Sequence, residues 1–228
     1  VLASGAAVCK NAGVPVAGGH SIDTLEPIYG LAVVGMVDIA NIKRNIGAKP
    51  DDVLILGKGL GTGFMSNAVK SGTISDSGYA ELIDSTTRLN DIGYDLGARE
   101  DVHAMTDITG FGLLGHLSEV CQGSGVGAKL ELSAIRMLAA GRELAEAGIN
   151  TGATNRNRMD FDDGISLPAD LPRWRNNMLY DPQTAGPLLV VCHPSGADDI
   201  LALFHYKGYA AAAIIGECQT GEPLITVR

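Results

Sequence analysis

The sequence predicts a layered fold of the α+β or α/β class, and two observations predict it. Short apolar runs suited to buried strands alternate with segments whose apolar residues recur at helical spacing. Glycine-rich punctuation separates one run from the next. The chain has 228 residues, 46% apolar and 19% charged. It is long enough for one large core or two small ones, and too apolar to stay disordered.

Taken in order, residues 1–11 read as the last turns of a helix, stopped by Gly13. There is no initiating Met and no capping residue, so a truncated N-terminus is expected. "VPVAGG" (14–19) reads as a short buried strand and "YGLAVVGMVDI" (29–39) as a longer one, with a polar connection between them. "GAKPDD" (47–52) has the Gly and Pro content of a domain boundary. "VLILGKGLGTG" (53–63) is a strand entering a glycine turn, followed by the short helix "FMSNAVKSG". Leu82, Leu89, Ile92 and Leu96 give residues 75–98 a helical period, closed by Gly97. Leu114, Leu117 and Cys121 share one face of a helix over 111–125. A strand over "AKLELS" and a helix over 134–148 follow. Residues 150–183 are mostly polar, with Asn, Arg, Asp and Pro throughout. That is long for a structureless loop, so they hold an unplaced short element or do functional work. Strands at 187–193, 209–218 and 223–227 enclose a helix at 194–208.

Composition excludes some functions. The net charge is -9, from 17 Lys and Arg against 26 Asp and Glu, which argues against a nucleic-acid surface. An acidic protein that handles phosphates needs cations to offset its own field. No run approaches the ~18 apolar residues of a membrane span. Cysteines 9, 121, 192 and 218 form no CxxC pair and no zinc pattern, and free thiols fit a reducing cytoplasm.

The motifs centre on "AMTDITGFGLLGHL" (104–117). "GFGLLG" has the spacing of a dinucleotide turn, and Glu131 lies about 20 residues on. Spacing alone would make this a Rossmann-type dehydrogenase. Thr106, Asp107 and Thr109 argue otherwise, because a bare carboxylate beside a pyrophosphate is unfavourable. It becomes favourable when a cation sits between them, and Mg²⁺ takes one or two carboxylates plus phosphate oxygens. The structural alternative makes Asp107 a cap or Asx-turn residue and the glycines packing positions. In "AGGHSID" (17–23), Gly18 and Gly19 expose backbone N–H groups, and His20 and Ser21 add donors, as a phosphate contact needs. A plain strand-ending turn is the alternative there. "GKGLGTG" fails both phosphate-loop patterns and reads as a strand-to-helix turn needing positive φ. "DPQTAGP" (181–187) reads as a plain loop, with Gln183 and Thr184 offering hydrogen bonds. Arg156 and Arg158 read as solvated loop residues, though arginine forks suit phosphate.

Across residues 17–190, "GGHSID", "YGLAVVGMV", "GAKPDDVLILGKGLGTG", "AMTDITGFGLLGHLSEVCQG" and "YDPQTAGPLL" occur in this order. Together they resemble the selenophosphate synthetase (selenide, water dikinase) family of the aminoimidazole ribonucleotide synthetase superfamily. The resemblance implies an α+β fold of mixed sheets packed with helices. Residues 1–45 would finish an N-terminal ATP-binding domain and residues 46–228 would form the C-terminal domain. It implies ATP and selenide as substrates, with selenophosphate, AMP and phosphate as products. Asp107 matches an Mg²⁺ ligand of that family, and Gly19, His20 and Ser21 match a nucleotide-phosphate contact. The resemblance also implies a cytoplasmic homodimer, with no nucleic-acid or membrane partner. The catalytic nucleophile and its Lys would lie upstream of Val1, so the 228-residue chain alone would not turn over ATP. The alternatives are a sibling of the same superfamily, of the aminoimidazole ribonucleotide synthetase or thiamine-monophosphate kinase type, and the dehydrogenase already weighed.

Overall fold

A computed structural model describes residues 1–228. The chain divides into two compact units, residues 1–42 and 43–228.

The first unit carries helix α1 (Leu2–Asn11) and a single 3₁₀ turn at Ile39–Asn41. The two strands expected at 14–19 and 29–39 do not form, because residues 14–38 pair with nothing. Those runs are apolar enough for a buried strand. A strand, however, also needs a neighbour to take up its backbone N–H and C=O groups, and no segment of this unit supplies one. Val33, Val34 and Met36 are left exposed.

The second unit is built on one seven-stranded sheet. Its strands are β1 (Val53–Leu56), β2 (Val102–Asp107), β3 (Gly127–Leu130), β4 (Ile165–Ser166), β5 (Leu188–Cys192), β6 (Ala213–Gln219) and β7 (Ile225–Val227). They lie in the order β2-β5-β1-β6-β3-β7-β4. The first five are joined antiparallel, and β3, β7 and β4 are joined parallel. The alternation of side chains makes two cores. Leu54, Leu56, Leu189 and Val191 face one side, and Ile55, Val190 and Cys192 face the other. Both faces of β1 and β5 are covered, so these strands read as unbroken apolar runs.

The first face is covered by α2 (Thr62–Ser71), α5 (Gly112–Ser124), α6 (Ala139–Glu146), α7 (Gly152–Phe161) and α8 (Arg173–Tyr180), which contact one another in pairs. Leu114, Leu117 and Cys121 turn one face of α5 into this core, as their spacing predicts. The second face is covered by α4 (Ile92–Gly97) and α9 (Pro194–Tyr206) through Ile92, Leu96, Ile200 and Phe204.

Four expectations need correction. The helix over 75–98 is two helices, α3 (Asp76–Thr87) and α4, broken at 88–91. The break is held by bonds that a continuous helix would forbid: Lys58 Nζ and Tyr209 Oη donate to the carbonyls of Arg88 and Leu89 at 2.6 Å each. The helix over 134–148 begins only at Ala139, because the backbone of 136–138 pairs with Leu60 (Leu60 N to Arg136 O, 3.0 Å; Leu138 N to Leu60 O, 2.9 Å). The 150–183 region holds short elements, as expected, namely α7, β4 and α8, but Arg156 and Arg158 stand on α7 rather than in a solvated loop. Finally, β2 was not expected. Its sequence "VHAMTD" has only one β-branched residue in its buried half, and it pairs through register with β5.

Candidate functional site

Asp107 is the last residue of edge strand β2, where it pairs with Leu188 of β5. It is exposed, and no hydrogen bond or ion pair engages its carboxylate. The loop that carries it on to α5 is fixed at every step. Ile108 is fully buried, and its N–H donates to the Pro187 carbonyl at 2.8 Å. The Thr109 carbonyl accepts from the N–H groups of Gln183 (2.9 Å) and Gly112 (3.1 Å). The Thr109 hydroxyl meets His116 Nε2 at 3.2 Å, and Nδ1 of that ring meets Glu119 at 3.1 Å. Asn157 Nδ2 donates to the carbonyls of Gly110 (2.8 Å) and Tyr180 (2.9 Å), so α7 ties this loop to the end of α8. Phe111 packs between the rings of His116 and Phe161. A free carboxylate on an immobilised loop is pre-oriented for a ligand from solvent.

The glycines of "GFGLLG" divide by role. Gly112 has φ +71°, and a Cβ there would lie 2.7 Å from the Tyr180 backbone. At Gly115 a Cβ would lie 2.6 Å from Phe111. Both let α5 seat against α7 and α8. Only Gly110 is exposed with open space beside it. The motif follows an edge strand in an antiparallel pair, and Glu131 is paired with Arg228 at 3.1 Å. A dinucleotide turn needs a central parallel strand, so the dehydrogenase alternative is overturned by the topology.

"GKGLGTG" and "DPQTAGP" meet each other, which their separation in sequence concealed. Gly61 has φ +125° and starts α2. The N–H groups of Gly61 and Thr62 donate to Gln183 Oε1 at 3.0 and 3.2 Å. The Gly63 N–H donates to Asp181 Oδ2 at 3.1 Å. Gln183 Nε2 donates to that same oxygen at 2.9 Å, and Thr184 N donates to the Thr62 hydroxyl at 2.9 Å. The positive end of α2 is therefore filled by the protein's own side chains, leaving no place for a phosphate. The expectation of a plain loop at 181–187 is corrected to a buried cap. Asp181 is fully buried, its Oδ1 has no partner, and burial pushes its carboxyl up to about 7. Lys58 is buried too. Burial, and secondarily Arg88, pull its ammonium down to about 8.

Gly19, His20 and Ser21 lie together in the first unit, all exposed. Gly19 and His20 line a hollow of about 450 Å³, with Cys9 and Gly30 among its other walls. Asp107 belongs to the second unit. No group of three or more His, Cys, Asp or Glu side chains gathers anywhere into a metal cage. One unengaged, exposed carboxylate suits Mg²⁺, which completes its shell with water and phosphate oxygens. It does not suit a metal that wants an all-protein site. Sequence reasoning missed Asn157, His116 and the burial of Asp181. The only signal for them was a cluster of polar residues flanking each apolar run.

A mixed sheet with helices on both faces defines an α+β class of fold. Residues 49–226 match the family "AIR synthase related protein, C-terminal domain". The chain belongs to the AIR synthase related family. Curated relatives 44–49% identical over the chain carry the name "Selenide, water dikinase". The protein of that name from Paraburkholderia xenovorans (strain LB400) is 49% identical over 227 residues, covering 100% of this chain and 64% of the relative. The one from Rhizobium meliloti (strain 1021) is 48% identical, covering 100% of this chain and 65% of the relative. This chain thus spans about two thirds of the length of the curated relatives it matches. Among solved structures, the hydrogenase maturation protein HypE of E. coli matches with a TM-score of 0.60 at 18% identity, over 82% of this chain and 49% of that one. At that identity the likeness is one of fold.

Proposed function

We propose that the protein carrying this chain is a selenide, water dikinase. It would convert ATP, selenide and water to selenophosphate, AMP and phosphate. The reading is supported by the relatives' shared name and carried by one observation: Asp107 is exposed, unengaged and held on a braced loop. Asp107 would hold Mg²⁺ together with nucleotide phosphate oxygens, and the ion would neutralise charge on those phosphates. His116, Asn157 and Gln183 position the loop and touch no substrate. Gly19, His20 and Ser21 would donate to phosphate oxygens from backbone N–H and side chain. Residues 1–45 would then be the end of the ATP-binding domain. The working form would be a cytoplasmic homodimer, a reading supported by four free cysteines and the exposed apolar residues of 14–39.

The test is ³¹P NMR on the protein as its gene encodes it, with ATP, Mg²⁺ and selenide. Selenide-dependent AMP, orthophosphate and a selenophosphate resonance are expected, with Asp107→Asn reducing the rate by about 100-fold or more. ADP as the nucleotide product, or turnover indifferent to selenide, would point to a sibling phosphotransferase and overturn the proposal.

A further inference from the structure

Trp174 is the single tryptophan of the chain. It stands on α8 facing α6, with the guanidinium of Arg175 5.1 Å and that of Arg142 5.7 Å from its ring centre. On one side lies a hollow of about 220 Å³, walled by Trp174, Arg136, Arg142 and Arg175 and floored by Met137 and Met178. A second hollow of about 270 Å³ is walled by Trp174, Arg173, Asn150 and Glu146. Of the four arginines only Arg142 has an acidic partner, Glu146 at 2.9 Å. Arg136, Arg142 and Arg175 bring three cationic side chains to the wall of the first hollow, in a protein whose net charge is -9. Arginine side chains converging on one hollow favour an anion there. Asn150 Oδ1 is buried with no hydrogen-bond partner.

The chemistry of these groups specifies the ligand. Arginine forks take a phosphate bidentately. The ring of Trp174, in a hollow also lined by Met137 and Met178, takes a planar aromatic ring. We infer that the groove between α6 and α8 around Trp174 binds a phosphorylated planar aromatic of the nucleoside monophosphate class. None of its residues belongs to the Asp107 loop, so the inference does not rest on the proposed function. No carboxylate is offered to a metal, because Glu146 is already engaged by Arg142.

The experiment is titration of the protein as its gene encodes it with AMP, read as the part of its tryptophan emission that Trp174→Phe removes. Saturable quenching is expected, with affinity at least about ten-fold above that for adenosine, ribose 5-phosphate or inorganic phosphate. It should persist in EDTA and in Asp107→Asn. An Arg136→Ala/Arg175→Ala variant with unchanged circular dichroism and melting should lose at least about ten-fold in affinity. If that variant does not fold, Arg175→Lys gives the same reading, since it keeps the charge and loses the fork. No saturable change, equal binding of inorganic phosphate, or no loss in the variant would overturn the inference. Loss of binding in EDTA would also overturn it, by assigning the nucleotide to a metal-dependent site.

Discussion

Asp181 is a carboxyl with two oxygens in different circumstances. Oδ2 accepts from Gly63 and Gln183, while Oδ1 is buried with no donor. Burial raises its folded pKa from 3.8 to about 7. Between those values the native state keeps a proton that the unfolded chain releases. Its contribution to stability is complete below about pH 4 and is lost as pH rises through 7. Asp181→Asn puts an amide nitrogen where the lone oxygen stands and has no charge to bury. Denaturant unfolding should show the variant at least as stable as the parent at pH 8, with the fall between pH 5 and 8 flattened by up to ~3 kcal/mol. An unchanged pH profile would refute the assignment. The sequence singles out Asp107 as a candidate cation ligand beside glycine, and its carboxylate stands exposed and unengaged. Its bracing was not legible, because Gln183 and Asn157 arrive from 76 and 50 positions away.

Among the elements, α5 shows what a glycine motif can mean. Gly112→Ala would force a non-glycine residue to φ +71° and drive its Cβ onto Tyr180, so we expect a loss of about 3 kcal/mol. Gly110→Ala meets open space and should change stability by less than ~0.5 kcal/mol. Thermal melts of the two variants separate packing from ligand contact: equal effects would contradict the division of roles. The central strands β1 and β5 were legible because both faces are buried. The long helices were legible by period. β2 escaped because an edge strand ending in Thr and Asp carries little apolar signal. The helix α7 escaped because it is short and mostly polar, held by Asn157 and its Thr151 cap, and α8 escaped because its buried apolar residues, Met178, Leu179 and Tyr180, come as one run at its end rather than at helical spacing. The 14–19 and 29–39 runs misled in the opposite direction: their composition fits a strand, and their unit offers no ladder.

For the whole molecule, the mixed sheet turns residues far apart in sequence into one rigid support. β5 delivers Pro187 beside Ile108, and the turn before it caps α2, so the Asp107 loop and the start of α2 share a single polar brace. The layered plan of a sheet packed with helices was legible from alternation. The central claim is that Asp107 holds a divalent ion against nucleotide phosphate. Electron paramagnetic resonance of Mn²⁺, used in place of Mg²⁺, tests it most directly in the protein as its gene encodes it. Bound Mn²⁺ should rise when ATP is added, and Asp107→Asn should weaken that ternary binding by at least about ten-fold. Identical ATP-dependent Mn²⁺ binding in the parent and in Asp107→Asn would contradict the account.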